Sequence, residues 1–225
     1  MSDDAPTIQT APDGPYLLHG PTVIRSAEYV YSEHGEPMTF SFGDGSAVDD
    51  MVALCRCGES ANRPYCDGSH QASEWDPNDG DPEGTYEERA RDKAGPDGSS
   101  YAMLDDTKLC MHAGLCGTAR QTVWQMLPDT GDSEVRGTVA RMVEKCPSGR
   151  LTNVFDGRAV EQALPQEVNV VPGGPLWVTG GIAVSRADGT QMERRNRVTL
   201  CRCGASERKP LCDGSHTKIE FEGRS

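Results

Sequence analysis

The chain has 225 residues, and its formal net charge of −13 at pH 7 argues against nucleic acid or an anionic membrane surface as a partner, because both bind basic patches. Leu, Ile, Val and Phe total only 36 residues, so a chain this charged needs a further source of stability. No run of about 20 apolar residues is present, and we therefore expect no membrane span. The nine cysteines are the obvious candidates for the missing stability.

The N-terminal segment, residues 1–13, is predicted to be disordered. It opens with acidic residues and lacks the hydrophobic centre of a secretion signal, so we expect a cytoplasmic protein. Thiols stay reduced in that compartment, and an odd number of cysteines does not suit full disulfide pairing. The cysteines are therefore predicted to bind metal.

A repeat organises the two ends of the chain, at residues 14–75 and 168–225. Residues 55–70 read CRCGESANRPYCDGSH, and residues 201–216 read CRCGASERKPLCDGSH. Upstream of each motif, a Gly-Pro pair and β-favouring residues predict two short strands, and the first copy carries about 14 extra residues near positions 33–50. Two similar halves predict a pseudo-twofold unit that buries a shared core. The aromatic residues of the two copies are predicted to lie in that core: Trp75, Trp177 and Phe221.

Each motif supplies three thiols and one imidazole, which suit either one zinc ion or one [2Fe–2S] cluster. In an extended segment, Cys55 and Cys57 point to the same side and can hold one metal ion. Asp67 is predicted to cap a helical turn that brings Cys66 close to His70. Structural zinc sites more often use C-x₂₋₄-C spacing, so the C-x-C spacing favours the cluster, and zinc stays an alternative. The second copy repeats the four donors at Cys201, Cys203, Cys212 and His216.

The pattern C-x-C-x₂-S-x₃-P-x-C-D-G-S-H occurs in both copies, with Ser60 and Pro64 in the first and Ser206 and Pro210 in the second. It resembles the signature of the CDGSH iron–sulfur (mitoNEET-like) family, and two motifs in one chain resemble its tandem members. The resemblance implies one [2Fe–2S] cluster per motif, held by three cysteines and one histidine. It also implies a monomer, because the tandem repeat takes the place of a homodimer. The inner irons would be held by Cys55, Cys57, Cys201 and Cys203, and the more exposed outer irons by Cys66, His70, Cys212 and His216.

A histidine ligand has consequences for function. A neutral imidazole in place of a thiolate makes the cluster less negative and raises its reduction potential. Its second ring nitrogen can carry a proton, so we expect proton-coupled electron uptake and acid-labile clusters. The expected function is electron transfer with a redox partner protein. A cluster donor or storage protein that serves an apo-acceptor protein is one alternative, and a zinc-stapled interaction module is another. No independent catalytic motif is found, so an enzyme is not expected.

The middle of the chain has a different character. Residues 76–100 are rich in Asp, Gly and Pro and predict an acidic linker with one helical turn near Tyr86–Arg91. The remaining cysteines, Cys110, Cys116 and Cys146, lie in residues 101–165. Two predicted helices would return Cys146 to the other two cysteines. They are Gly117–Leu127 and Ser133–Lys145, the second capped by Ser133 or Asp132.

The elements C-x-H-x-G-x-C (110–116) and CPSG (146–149) resemble the divergent mono-cluster ferredoxin domain that is often found beside CDGSH motifs. Three thiolates suit a [3Fe–4S] cluster, whereas a [4Fe–4S] cluster needs a fourth ligand, for which His112 or a small molecule is a candidate. A metal-free ferredoxin-like scaffold is the alternative. Together these segments predict a small, β-rich α+β protein. In it, two CDGSH modules form a pseudo-twofold unit with a ferredoxin-like insert.

Overall fold

The computed structural model describes residues 5–78, 80, 82 and 84–223, which fold as a small, β-rich α+β protein. The strands are β1 (Thr7–Thr10), β2 (Tyr16–His19), β3 (Thr22–Tyr31), β4 (Pro37–Phe42), β5 (Ser46–Val48), β6 (Met51–Leu54), β7 (Arg91–Ala94), β8 (Tyr101–Asp105), β9 (Leu151–Phe155), β10 (Arg158–Val160), β11 (Glu167–Val170), β12 (Leu176–Thr179), β13 (Ala183–Ser185) and β14 (Arg197–Leu200). The α-helices are α1 (Tyr86–Arg89), α2 (Val123–Met126), α3 (Ser133–Glu144) and α4 (Ser215–Lys218), and 3₁₀ turns cover Ser69–Ala72, Thr107–Leu109 and Leu127–Asp129. Within the described part of the chain, no helix has the length and apolar character needed to cross a membrane.

Two of the sheets exchange strands between the repeats. The first sheet has the order β13-β1-β2-β6, and the second has the order β14-β12-β11-β3, with β4 and β5 also paired to β3. Strand β1 lies parallel to β13, with Ile8 opposite Val184. Strand β3 lies parallel to β11, with Ile24 opposite Val168. Each half of the chain therefore completes the sheet of the other. This exchange supports the predicted pseudo-twofold unit, which stays a prediction.

Side chains from both exchanged sheets form one hydrophobic core. Alternate residues of β2 are buried, because the side chains of a strand point to opposite faces in turn. All residues of β12 and β14 are buried, as expected for strands that are covered on both faces. Sharing one core lets two small halves bury more apolar surface than either could alone. The core includes Ile8, Leu18, Leu54, Val168, Leu176, Val178, Val198 and Leu200.

The middle segment has a sheet of its own, with the order β10-β9-β8-β7, and α3 packs against β9. Asp132 is the N-cap of α3, because its carboxylate accepts hydrogen bonds from the N–H groups of Glu134 (2.7 Å) and Val135 (3.2 Å). Val139 and Val143 are fully buried on the inner face of the helix. The second helix therefore begins where the sequence predicts and presents the predicted apolar face to the sheet.

The first predicted helix of this segment, Gly117–Leu127, is wrong over its first half. Gly117 and Thr122 form an isolated antiparallel bridge, and only Val123–Met126 are α-helical. The N–H of Thr122 donates to Oε1 of Gln125 at 2.9 Å, which is one half of a capping box. The box starts the helix after Thr122 and leaves residues 117–122 as a tight turn.

The predicted disorder of residues 1–13 and the predicted linker at 76–100 both need correction. Thr7–Thr10 is a paired strand, whereas residues 1–4 lie outside the described part. The helical turn predicted in the linker is present as α1, and Arg91–Ala94 pairs with β8 in the middle sheet. Residues 79, 81 and 83 of the linker and residues 224–225 of the second module also lie outside the described part. These segments have the composition of loops. Strands that are distant in the sequence pair with them and hold them in an ordered conformation.

The extra residues of the first copy form β4 and β5, which both pair with β3. They reach the middle segment, since Nζ of Lys145 donates to the carbonyl oxygen of Met38 at 2.9 Å. A Cβ atom built on Gly114 would lie 2.9 Å from Cγ of Pro37. The insertion therefore packs the first module against the loop that carries Cys110 and Cys116.

Candidate metal centres

The first CDGSH-type motif brings its four predicted donors together in two pairs. The Sγ atoms of Cys55 and Cys57 lie 3.8 Å apart, directly after β6. Sγ of Cys66 lies 3.4 Å from Nδ1 of His70, which is carried on the 3₁₀ turn. All four residues line a cavity with an empty volume of about 180 Å³. Because Nδ1 faces the sulfur, Nε2 of the imidazole remains available to carry a proton.

Asp67 holds this donor arrangement in place. Its Oδ1 accepts a hydrogen bond from the N–H of Ser69 at 3.0 Å, and its Oδ2 accepts one from the N–H of Ala61 at 2.8 Å. The carboxylate therefore ties the histidine turn to the loop that follows Cys57. Gly68 occupies the N-cap position that the sequence assigns to Asp67, with φ of 90°. That left-handed conformation is one that glycine adopts at no steric cost.

The second motif repeats the geometry of the first. The Sγ atoms of Cys201 and Cys203 lie 3.8 Å apart, and Sγ of Cys212 lies 3.3 Å from Nδ1 of His216. Asp213 again joins the two ends of the loop, since it accepts from the N–H groups of Ser215 and Glu207, both at 2.9 Å. The two sites thus have the same local construction.

The two thiols of each cysteine pair differ in protonation. A hydrogen bond from Cys57 lowers the pKa of Cys55 and one from Cys203 lowers the pKa of Cys201, whereas the same hydrogen bonds raise the pKa values of Cys57 and Cys203. Burial lowers the pKa of His216, so its imidazole is neutral at pH 7. One thiolate in each cysteine pair and a neutral imidazole are the forms that act as ligands.

The donors in each motif are grouped as pairs. Across the described ranges, no three Cys, His, Asp or Glu side chains converge closely enough to hold a single metal ion. A mononuclear zinc site needs four ligands around one centre, whereas a two-iron cluster takes two ligands on each iron. Two donor pairs would supply two ligands to each iron of a [2Fe–2S] cluster, and this assignment stays a prediction.

Both motifs begin Cys-Arg-Cys, and the central arginine is buried in both. The sequence motif does not reveal this burial. Arg56 and Arg202 are each only 1% exposed. The guanidinium of Arg56 lies 5.1 Å from the ring centroid of Trp75, and that of Arg202 lies 5.3 Å from that of Phe221. Trp75 and Phe221 are half-buried, and their rings lie beside these guanidinium groups. The sequence predicts that both are core residues. Trp177, at 8% exposure, is buried as predicted.

Arg202 places a positive charge next to both motifs. Its Nη2 donates to the carbonyl oxygen of Val171 at 2.7 Å, which anchors the side chain. Burial lowers its pKa to about 10, and the nearby thiolates of Cys55 and Cys203 oppose that shift. The guanidinium therefore stays charged at neutral pH beside a cysteine of each motif. Carbonyl oxygens accept its N–H groups, and an anionic cluster would add compensating negative charge.

The three remaining cysteines, Cys110, Cys116 and Cys146, line one cavity with an empty volume of about 670 Å³. Nη1 of Arg150 donates to Sγ of Cys110 at 3.2 Å, while its Nε donates to Oδ1 of the buried Asp105 at 2.7 Å. Burial raises the pKa of the Cys116 thiol. Three thiols around one cavity, with a guanidinium at its edge, fit a cluster that has three protein ligands. Neither Arg150 nor Asp105 belongs to a cysteine motif, so the sequence pattern does not reveal them.

His112, the candidate fourth ligand, lines this cavity and has a positive φ of 62°. Its ring also packs toward the second motif, because a Cβ atom built on Gly214 would lie 2.6 Å from its Cδ2. Burial raises the pKa of Cys212, and a thiolate at Cys110 contributes in the same direction. The middle cavity and the second motif are therefore neighbours. The role of His112 as a ligand stays a prediction.

Protein-family models match the three segments that carry the candidate donors. The family described as iron-binding zinc finger CDGSH type matches residues 13–71 and 173–217, and the divergent 4Fe-4S mono-cluster family matches residues 97–156. Searches of curated proteins and of solved structures return no match. The matched segments include every donor described above. The chain is therefore an iron–sulfur protein of the tandem CDGSH type, with a divergent 4Fe-4S mono-cluster domain between its two CDGSH segments.

Proposed function

We propose that the protein is an electron carrier that binds two [2Fe–2S] clusters, each through three cysteines and one histidine. The observation that carries the proposal is the pairing of donors. Cys55 and Cys57 lie 3.8 Å apart and Cys66 and His70 lie 3.4 Å apart, and the second motif repeats both pairs. Each pair would hold one iron. When bound, the clusters supply reversible one-electron chemistry, which no protein side chain here offers.

A third cluster in the middle segment is part of the proposal. The presence of Cys110, Cys116 and Cys146 in the lining of one cavity supports it, as does the donation from Arg150 to a cysteine sulfur. Three thiolates suit a [3Fe–4S] cluster, and a [4Fe–4S] cluster would add His112 or a small molecule as its fourth ligand. A metal-free scaffold in this segment is the alternative.

Electron transfer is favoured because the sites adjoin one another. A Cβ atom built on Gly58 would lie 2.7 Å from the carbonyl oxygen of Cys203, and Gly204 makes the reciprocal close approach to Cys57. The middle cavity adjoins the second motif through His112. Adjoining centres in one chain suit a carrier that passes electrons to a redox partner protein. The strand exchange between the two halves supports a monomer as the working unit.

A cluster donor or storage protein is the second candidate. The observation that favours it is the exposure of the first site, where Cys66 and His70 are only half-buried. Transfer of a cluster to an apo-ferredoxin faster than spontaneous cluster loss would support donation. A zinc-stapled interaction module is disfavoured by the paired arrangement of the donors.

The test is the iron, acid-labile sulfide and zinc content per chain of anaerobically purified protein, together with its visible spectrum. Two [2Fe–2S] clusters would give four irons and four sulfides, and a filled middle segment would raise the iron count to about seven or eight. Zinc without sulfide in a colourless protein would overturn the proposal.

The histidine ligands provide a second test. His70→Cys together with His216→Cys replaces both imidazoles by thiolates, which makes the clusters more negative. We expect lower reduction potentials and a weaker dependence of potential on pH, measured by redox titration of the visible spectrum. Unchanged potential and unchanged pH dependence would contradict the assignment of these histidines.

A further inference from the structure

We propose that the two CDGSH sites have different roles: the first is an open site that exchanges its cluster with an external acceptor, and the second is a retained site that the middle segment seals. The inference rests on the proposed function in that both sites must hold clusters, and it takes up the second candidate function, cluster donation, for the first site. It assigns the cluster-exchange chemistry to one motif out of two that have the same sequence pattern.

The backbone of the ligand turn is the same in the two motifs. Gly68 has φ of 90° and ψ of −2°, and Gly214 has φ of 88° and ψ of 2°. The surroundings differ. A Cβ atom built on Gly68 would meet no atom within 4 Å, whereas one built on Gly214 would lie 2.6 Å from Cδ2 of His112 and 3.2 Å from the carbonyl oxygen of Met111. The same glycine therefore faces open space in the first motif and a neighbouring segment in the second.

The cover changes the exposure of the outer donors. His216 is 7% exposed and Cys212 is 3% exposed, so both are buried. His70 and Cys66, in the matching positions of the first motif, are half-buried. The glycines of the two turns share one backbone conformation, although the first turn is 3₁₀ and the second is α-helical. We assign the difference in exposure to the middle segment, which lies against Gly214.

Further contacts hold the cover in place. Nη1 of Arg208 in the second motif donates to the carbonyl oxygen of Lys108 at 2.8 Å. The first motif has Asn62 at the matching position, and Asn62 is exposed. Nη2 of Arg195 donates to the carbonyl oxygen of Gly149 at 2.8 Å. Lys108 and Gly149 are close in sequence to residues that line the middle cavity, and both are thus bonded to the second module.

Cluster loss requires water, a chelator or an acceptor thiol to reach an outer ligand. At the first site, the half-buried His70 is open to such an attack. At the second site, the segment around His112 must first move away from Gly214, and such local opening costs free energy. The first site is therefore expected to release its cluster faster than the second.

The test uses full-length protein with one intact CDGSH site at a time. Cys212→Ser leaves the first site intact, and Cys66→Ser leaves the second intact. Iron and acid-labile sulfide are counted first, and cluster loss to a chromogenic iron chelator is then followed by visible absorption. We expect loss from the Cys212→Ser protein to be severalfold faster than loss from the Cys66→Ser protein. Equal rates, or the reverse order, would overturn the inference.

Substitutions of His112 test the seal itself in the Cys66→Ser background. His112→Ala should accelerate cluster loss severalfold, while His112→Phe should keep it slow, because a phenyl ring still covers Gly214 but cannot bind iron. The matched control is His34→Ala at an exposed histidine of the first module. A His112→Ala protein as slow as the control would refute the seal, and so would a His112→Phe protein as fast as His112→Ala.

If a single-site variant fails to bind its cluster, amide hydrogen exchange of the cluster-loaded wild-type protein tests the inference instead. We expect slower exchange at residues 212–216 than at residues 66–70, and equal exchange would contradict the inference. Wild-type protein without iron and sulfide would instead refute the proposed function, so the two failures are distinguishable.

Discussion

Tyr16 links the first half of the chain to the ligand loop of the second. It lies on β2 and is fully buried. Its hydroxyl oxygen lies 2.9 Å from the carbonyl oxygen of Cys201 and 3.1 Å from that of Pro210, so its single proton is shared between the two acceptors. These two carbonyl groups flank the loop that precedes Cys212. We predict that Tyr16→Phe, which removes only the hydroxyl group, destabilises the protein and loosens the second site.

The expected magnitude follows from the partners left behind. A buried polar group that loses its hydrogen-bond partner costs about 1–3 kcal/mol. The carbonyl of Pro210 keeps a donor, because it also accepts from the N–H of Cys201 at 2.8 Å. We therefore expect a loss in the lower part of that range, about 1–2 kcal/mol in the free energy of unfolding. For a chain of this size, that corresponds to a decrease in Tm of roughly 2–8 °C.

The assay is thermal unfolding of the loaded protein at one fixed scan rate, followed by far-UV circular dichroism and by the visible signal of the clusters. Tyr31→Phe is the matched control, because Tyr31 is 57% exposed and its substitution should change stability by less than about 0.5 kcal/mol. Equal Tm values for Tyr16→Phe and Tyr31→Phe would refute the reasoning that the two halves are joined through this hydroxyl.

Three further predictions concern buried residues. Arg202→Met should lower the reduction potential of the CDGSH clusters in a redox titration, since it removes a positive charge beside Cys55 and Cys203; an unchanged potential would contradict this. Arg150→Met leaves the buried carboxylate of its ion-pair partner uncompensated and should cost about 3–5 kcal/mol in urea unfolding as well as iron in the middle site; full iron content at wild-type stability would argue against it. Leu18→Ala, at a fully buried core position, should cost about 2–5 kcal/mol in the same assay, whereas Met51→Ala at a 51% exposed position should cost little; equal urea midpoints would contradict the shared core.

Local sequence determines the donor pairs and the longest helix. The C-x-C and C-x₃-H spacings lie within single short segments, so an extended loop and one turn are enough to form each pair. Helix α3 follows for the same reason, because Asp132 and the period of its valines act within the segment. Neither prediction depends on what the rest of the chain does.

The sequence-based structure predictions are wrong where a segment pairs with a strand that is distant in the sequence. Thr7–Thr10 resembles a disordered tail, yet it pairs with β2 and with β13, about 175 residues further along the chain. The Arg91–Ala94 strand is ordered by β8 in spite of its polar composition. The helix predicted at residues 117–122 is wrong for a local reason. Thr122 and Gln125 form a capping box, and this box starts the helix after Thr122.

The sequence by itself predicted the candidate iron ligands, because ligand type and spacing are local properties and the motif occurs twice. Only the tertiary structure decided that the two motifs differ. Gly68 and Gly214 have the same neighbours in sequence and the same backbone conformation, but His112 covers only Gly214. The difference arises because the middle segment packs on one half of the repeat, where Arg208 and Arg195 bond to it. Arg208 replaces Asn62 within the motif, but that substitution alone does not reveal which segment it contacts.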